Sequence, residues 1–196
     1  MALPHILTSL HGRLCGISRK GRLVMNGLVP GVANLVAYAN TAASTAVTNT
    51  TTETEFDTNY TFAGGSLSDG QVIKIRFQGI ATSTNSTDTL TIKLYIGGKS
   101  GTALIAEAAT DVADNNVFSG EYVLVVRSTG ASGTIVGCGT YKSVPAAEGT
   151  ATYKDDILAS TTIDTTAAQR VAVSAAWSVA SASNSCRLDI LTVEVA

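Results

Sequence analysis

The chain has 196 residues, a net charge of −2 and a hydrophobic content of 45%. That length buries a core without disulfides or metals, and that hydrophobicity excludes a disordered chain. Charged residues make up only 14%, against the usual quarter, so the surface is weakly protected against association and neighbours are expected to cover much of it.

The charge is unevenly spread. Residues 1–52 hold Arg13, Arg19, Lys20 and Arg22 and no acid; their +4 within a total of −2 leaves −6 for the rest. Such asymmetry predicts a basic arm, residues 1–30, that docks on something acidic. Leu10, Leu14, Ile17 and Leu23 alternate loosely with the basic residues. Gly12, Gly16 and Gly21 would each cost ~1 kcal/mol inside a helix, so an extended or hairpin-like segment is expected rather than an amphipathic helix.

Basic residues 13–22, the uncharged stretch from Leu23 and the Ala37-Tyr38-Ala39 triplet follow the order of a secretory signal. Asn26, Gly27, Pro30, Gly31 and Asn34 break that apolar run, so neither a signal peptide nor a membrane span is expected. Nucleic-acid binding calls for more charge and for aromatic rings, and the arm offers four cations and no ring. The expectation is docking on an acidic protein surface. Leu10, Leu14, Ile17 and Leu23 would be its apolar anchors. Arg13, Arg19 and Arg22, with Lys20 beside them, would meet carboxylates. The arm's glycines permit pairing with a partner's strand edge.

Residues 31–53 read as a Thr/Ala/Asn-rich connector, with a short strand at Leu35–Tyr38. From residue 54 to 196 the pattern has period two, as half-buried strands require. Ile73, Ile75 and Phe77 share one face; so do Leu90, Ile92, Leu94 and Ile96. Tyr122, Leu124 and Val126 oppose Val123 and Val125, which predicts a strand covered on both sides. Val171, Val173, Ala175 and Trp177 alternate, as do Leu191, Val193 and Val195. Gly64-Gly65, Asp69-Gly70, Gly97-Gly98 and Gly130 to Gly133 mark reversals. The Ala-rich stretch 103–109 is ambiguous between helix and strand. About eight short strands between turn signals predict an all-β fold, an antiparallel sandwich or barrel.

Chemistry is sparse. His5 and His11 are the only histidines and both lie in the arm, so no zinc site or Ser/His/Asp triad is expected. Ser132 stands in Gly-Ala-Ser-Gly, which is not a nucleophile elbow. Asp155 and Asp156 are adjacent, point to opposite faces if on a strand, and read as solvated loop carboxylates. Cys15, Cys138 and Cys186 are odd in number and read as buried or half-buried thiols. Trp177, Tyr60, Tyr95, Tyr141 and Tyr153 would be the rings of a sugar-binding platform, although Trp177 continues the apolar face of Val171 and Val173 and reads as core. No enzyme activity and no cofactor are expected.

The stretch AGGSLSDGQVIKIRFQGIATSTNSTDTLTIKLYIGG, residues 63–98, resembles a segment of tailed-bacteriophage virion proteins: a Gly-x-Leu-x-x-Gly turn, a strand, a Thr/Asn-rich loop and a second strand closing on Gly-Gly. STGASGTIVGCG, residues 128–139, and the last strand LDILTVEV extend the likeness over residues 54–196. SLHGRLCGISRKGRLV, residues 9–24, is similar to the opening of some phage head proteins. The resemblance implies a jelly-roll sandwich, often a homotrimer, carried on the virion and made in the bacterial cytoplasm. The expected function is capsid decoration (cement), with the major capsid protein as partner and the arm as anchor. The alternative is a tail- or fibre-associated module that recognises host glycan.

Overall fold

The computed structural model describes residues 35–84, 87–107, 110–112, 115–144 and 152–196, together with the backbone of three short strands that precede them. The chain divides into two compact units, residues 1–34 and 35–196. In the first unit, β1 (Leu7–Thr8), β2 (Leu14–Ile17) and β3 (Leu23–Met25) form an antiparallel sheet in chain order. Ile17 pairs with Leu23, and Thr8 with Leu14. The arm is therefore extended at these positions, as its glycines predict.

Every regular element described in the second unit is also a strand: β4 (Leu35–Ala39), β5 (Val47–Thr48), β6 (Thr54–Phe62), β7 (Val72–Thr82), β8 (Thr89–Ile96), β9 (Thr102–Ala106), β10 (Thr110–Asp111), β11 (Asn116–Ser128), β12 (Gly133–Val144), β13 (Thr152–Ile163), β14 (Gln169–Trp177) and β15 (Ser185–Val195). They make two antiparallel sheets. The larger runs β13-β12-β11-β7-β15-β4, with β5 also on β15; the smaller runs β6-β14-β8, with β9 and β10 along the far edge of β8.

That order defines the fold. Count β4, β6, β7, β8, β9 with β10, β11, β14 and β15 as strands one to eight. One sheet is then 1-8-3-6 and the other 2-7-4-5. This is an eight-stranded jelly roll, two Greek keys folded into a double sheet. The hairpin β12–β13 is an addition that widens the larger sheet beyond its sixth strand.

The first jelly-roll strand lies within the stretch read from sequence as a connector. β4 pairs with β15 through Thr192–Ala39 and Val195–Leu35, so the compact unit begins at residue 35 rather than 54. The chain after β4 keeps to the same partner. β15 has a register shift between Leu188 and Ile190 where it pairs β7, an extra residue that leaves ladder groups unmatched. Asn40 fills both: its amide donates to the Asp189 carbonyl at 2.8 Å, and its carbonyl accepts from the Leu191 amide at 2.7 Å. The Ser44 amide then donates to the Leu188 carbonyl, and the Leu188 amide donates to the Ser44 hydroxyl. The bulge re-phases the strand, so Leu188 and Leu191 both enter the core while Ile190 faces out.

The two inner faces make one core, including Phe56, Ile73, Ile75, Phe77, Ile92, Leu94, Leu124, Val173 and Leu191. The predicted alternation of β7, β8 and β15 holds. Trp177 is 2% exposed and its indole donates to the Val47 carbonyl at 3.4 Å, so it is core. Of the stretch 103–109, ambiguous in sequence, residues 103–106 belong to strand β9. Gly97 and Gly98 both have positive φ, as the tight β8–β9 reversal requires.

One strand departs from its expected burial. β11 is covered on one side only: Tyr122, Leu124 and Val126 are buried, but Val123 is 40% exposed. Valine on both faces reflects β-propensity here, not double cover.

Candidate interaction surface and buried carboxylates

Leu14, Ile17 and Leu23, expected as docking anchors, lie on β2 and β3. Leu10, Arg13, Arg19, Lys20 and Arg22 lie outside the described residues, as do both histidines. The described residues offer three other arrangements.

The first is the outer face of the larger sheet. Register places side chains in rows across the strands. Ile157, Cys138, Val123 and Lys74 are successive partners on β13, β12, β11 and β7, and Val136, Val125 and Val72 form the adjoining row. Ile157 is 88% exposed. Cys138 is exposed between these strands, contrary to the expectation for its thiol, because its partner Val123 also points outward. Cys186 is buried as expected, and burial pushes its thiol up to about 12. Further along the face, Arg76 and Glu121 pair at 2.6 Å over a shallow depression of ≈ 270 Å³, bordered by Gln78, Ser119, Ile190 and Thr192.

The second lies where β13 touches β9. Glu107, just beyond β9, meets β13 there with its side chain buried. Lys154 Nζ lies 3.3 Å from Glu107 Oε2 and 3.5 Å from Asp156 Oδ1. The Tyr122 hydroxyl lies 3.3 Å from Asp156 and 3.5 Å from Glu107. Two carboxylates thus share one lysine. Burial, then the hydrogen bond and charge of Asp156, push the Glu107 carboxyl up to about 7. Burial and the two carboxylates also raise the Tyr122 phenol. Asp155 and Asp156 are strand residues, not loop residues: Asp155 is exposed and Asp156 turns inward. Sequence reasoning saw Asp156 without Glu107, because nothing local links residues 49 apart.

The third is a clasp on the outer face of the smaller sheet. Glu53 Oε1 accepts from the Tyr95 hydroxyl at 2.6 Å and the Ser174 hydroxyl at 2.8 Å, while Lys93 reaches Oε2 at 2.6 Å. Burial pushes the Glu53 carboxyl up, but these three bonds outweigh it and hold it below its ordinary range. Beside it, Arg170 pairs with Glu55 at 2.9 Å. These groups hold β6, β14 and β8 together.

The expected aromatic platform does not form. Trp177, Tyr95 and Tyr141 are buried, and Tyr60 stacks on Tyr38 and meets Phe62 edge to face. Tyr153 alone of the five is strongly exposed, with Lys142 5.1 Å from its ring centre. Among the described residues, no group of three or more His, Cys, Asp or Glu is placed to hold a metal ion.

No family model and no curated protein matches the chain. Among solved structures it is similar to the lectin UEA-II complexed with galactose, at 8% identity and a TM-score of 0.37, over 92% of this chain and 89% of that one. It is similar to the basic winged bean lectin with Tn-antigen, at 12% identity and a TM-score of 0.35, over 94% and 90%. It is also similar to a chain of infectious bursal disease virus, Gt strain, at 14% identity and a TM-score of 0.33, over 97% of this chain and 41% of that one. At these scores the assignment as a jelly-roll sandwich rests on the strand order above.

Proposed function

We propose that the protein is a non-enzymatic structural component of a phage virion that decorates the head, held there by the arm in residues 1–30. The observation that carries this reading is the broad outer face of the larger sheet, where Ile157, Val123 and Cys138 are exposed side by side. An exposed contiguous apolar surface is the mark of an interaction site. The buried carboxylates and the Glu53 clasp tie strands together and hold the sandwich rigid behind that face. The basic arm belongs to a separate compact unit, which suits a segment that engages the major capsid protein while the sandwich keeps its own fold. Copy number tests the reading: cryo-electron microscopy of virions encoding the chain should place hundreds of copies on the head. A handful confined to the tail would contradict it.

A tail-associated module that binds host glycan is the second reading. It is favoured by the Arg76–Glu121 depression, whose polar rim of Gln78, Ser119 and Thr192 presents hydrogen-bonding groups to solvent. Saccharide binding by the purified chain, lost in Arg76→Ala, would support it.

A further inference from the structure

We propose that Glu107, with Lys154 and Asp156, is a pH-operated latch on β13. Closed in acid, it lets the Tyr153–Leu158 part of that strand leave the edge of the sandwich when Glu107 ionises. This goes beyond the proposed function, which requires no moving part.

β13 is loosely held. It is the outermost strand of the larger sheet and pairs only with β12 among the described strands. From Tyr153 to Thr162 none of its side chains is buried; Ile163, at the far end, is the first that is. Leu158 is half-buried against the core. Little apolar burial therefore backs the ladder to β12, and a strand of this kind opens before the rest of a fold does. Neither β12 nor β13 belongs to the eight jelly-roll strands, so β13 can move without breaking a Greek key.

What reaches β13 from the smaller sheet is Glu107. Its amide donates to the Ile92 carbonyl at 2.9 Å, which fixes it to β8. Its carboxylate lies 3.3 Å from Lys154 Nζ, and Lys154 lies 3.5 Å from Asp156. Tyr122 of β11 stands 3.5 Å from Glu107, and Tyr141 of β12 is buried nearby. Burial, then the charge of Glu107, pushes the Tyr141 phenol up, and burial with both carboxylates does the same to Tyr122, so both rings stay neutral. Burial works against the charge of Lys154, but the two carboxylates outweigh it and keep the ammonium charged.

Ionised Glu107 beside the Asp156 carboxylate leaves two negative charges to one lysine, with Glu107 itself shut off from water. Like charges in such a place repel strongly, and moving β13 away hydrates both. The direction follows from the carboxyl that is raised, from 4.5 to about 7. The closed arrangement is fully favoured below about pH 4.5 and loses its advantage as pH rises through about 7.

The test is hydrogen exchange of the full chain, read by mass spectrometry at pH 5.5 and pH 8 and corrected for the intrinsic rate at each pH. Protection of the β13 amides should fall roughly tenfold or more. At pH 8 these amides should exchange faster than those of β7 and β8. Low urea should leave their rate unchanged while it speeds the others, because a local opening exposes little surface. Glu107→Gln should abolish the fall with pH. Asp156→Asn, which keeps the Glu107 carboxyl and removes the charge beside it, should reduce the fall. The wild-type profile decides the matter even if a variant fails to fold. Protection of β13 that ignores pH, or β13 amides that share the rate and the urea dependence of β7 and β8, would overturn the inference. So would a fall that persists in folded Glu107→Gln. None of these results bears on head binding through the arm, which is measured separately.

Discussion

Glu107 faces Lys154 across 3.3 Å, and the contact joins the edge of the smaller sheet to the outermost strand of the larger. Glu107 is 4% exposed, and Asp156 competes for the same lysine. Burial of Glu107 beside a second carboxyl group favours its protonated form. The fold therefore holds that proton more tightly than the unfolded chain does.

Stability should consequently fall as pH rises. Burial and the neighbouring Asp156 push the Glu107 carboxyl from its ordinary 4.5 up to about 7. The stabilisation is fully present below about pH 4.5 and is lost as pH rises through about 7. Glu107→Gln keeps a neutral hydrogen-bonding group and removes the titration. Urea unfolding at pH 5 and pH 8 should show a large difference for wild type and a small one for the variant. At pH 8 the variant should be the more stable.

Much of the fold is legible in the sequence because it is written in local alternation. Ile73, Ile75 and Phe77, or Leu90 to Ile96, announce a half-buried strand without reference to anything distant. What escapes is set by pairing across the chain. Leu35–Tyr38 reads locally as a short strand, but its role as the first jelly-roll strand comes from β15, more than 150 residues away. The exposure of Val123 depends on which neighbours cover β11. Glu107 and Glu53 look like ordinary surface acids until folding brings Asp156, Tyr95 and Lys93 to them. The arm is the opposite case: its charge and glycines are plain in the sequence, and the docking proposed for it would depend on a partner.

Asn40→Ala should cost about 1–3 kcal/mol, because it strips both bulge groups of β15 of their partner and leaves them half-buried. Asn40→Asp should recover part of this, since a carboxylate still accepts from the Leu191 amide and cannot donate to the Asp189 carbonyl. Chemical denaturation of the three proteins checks the order.

Gly139→Ala should be more damaging than a surface glycine replacement. A β-carbon there would clash with the Tyr122 ring and the Glu121 carbonyl. Tyr122 would have to leave its stack with Phe77 and its place beside Glu107 and Asp156. A loss of about 1–3 kcal/mol or more is expected. Gly130→Ala, where nothing lies near, tests positive φ alone and should cost less. Melting temperatures of the two variants should separate accordingly.

The central claim is that the sandwich is fastened to a phage head by the segment before it. Its most direct measurement is occupancy of purified heads by the chain lacking residues 1–27, at saturating protein. Loss of binding with an unchanged melting curve for the sandwich is the predicted result. Undiminished occupancy would contradict the claim and return the docking role to the sheets.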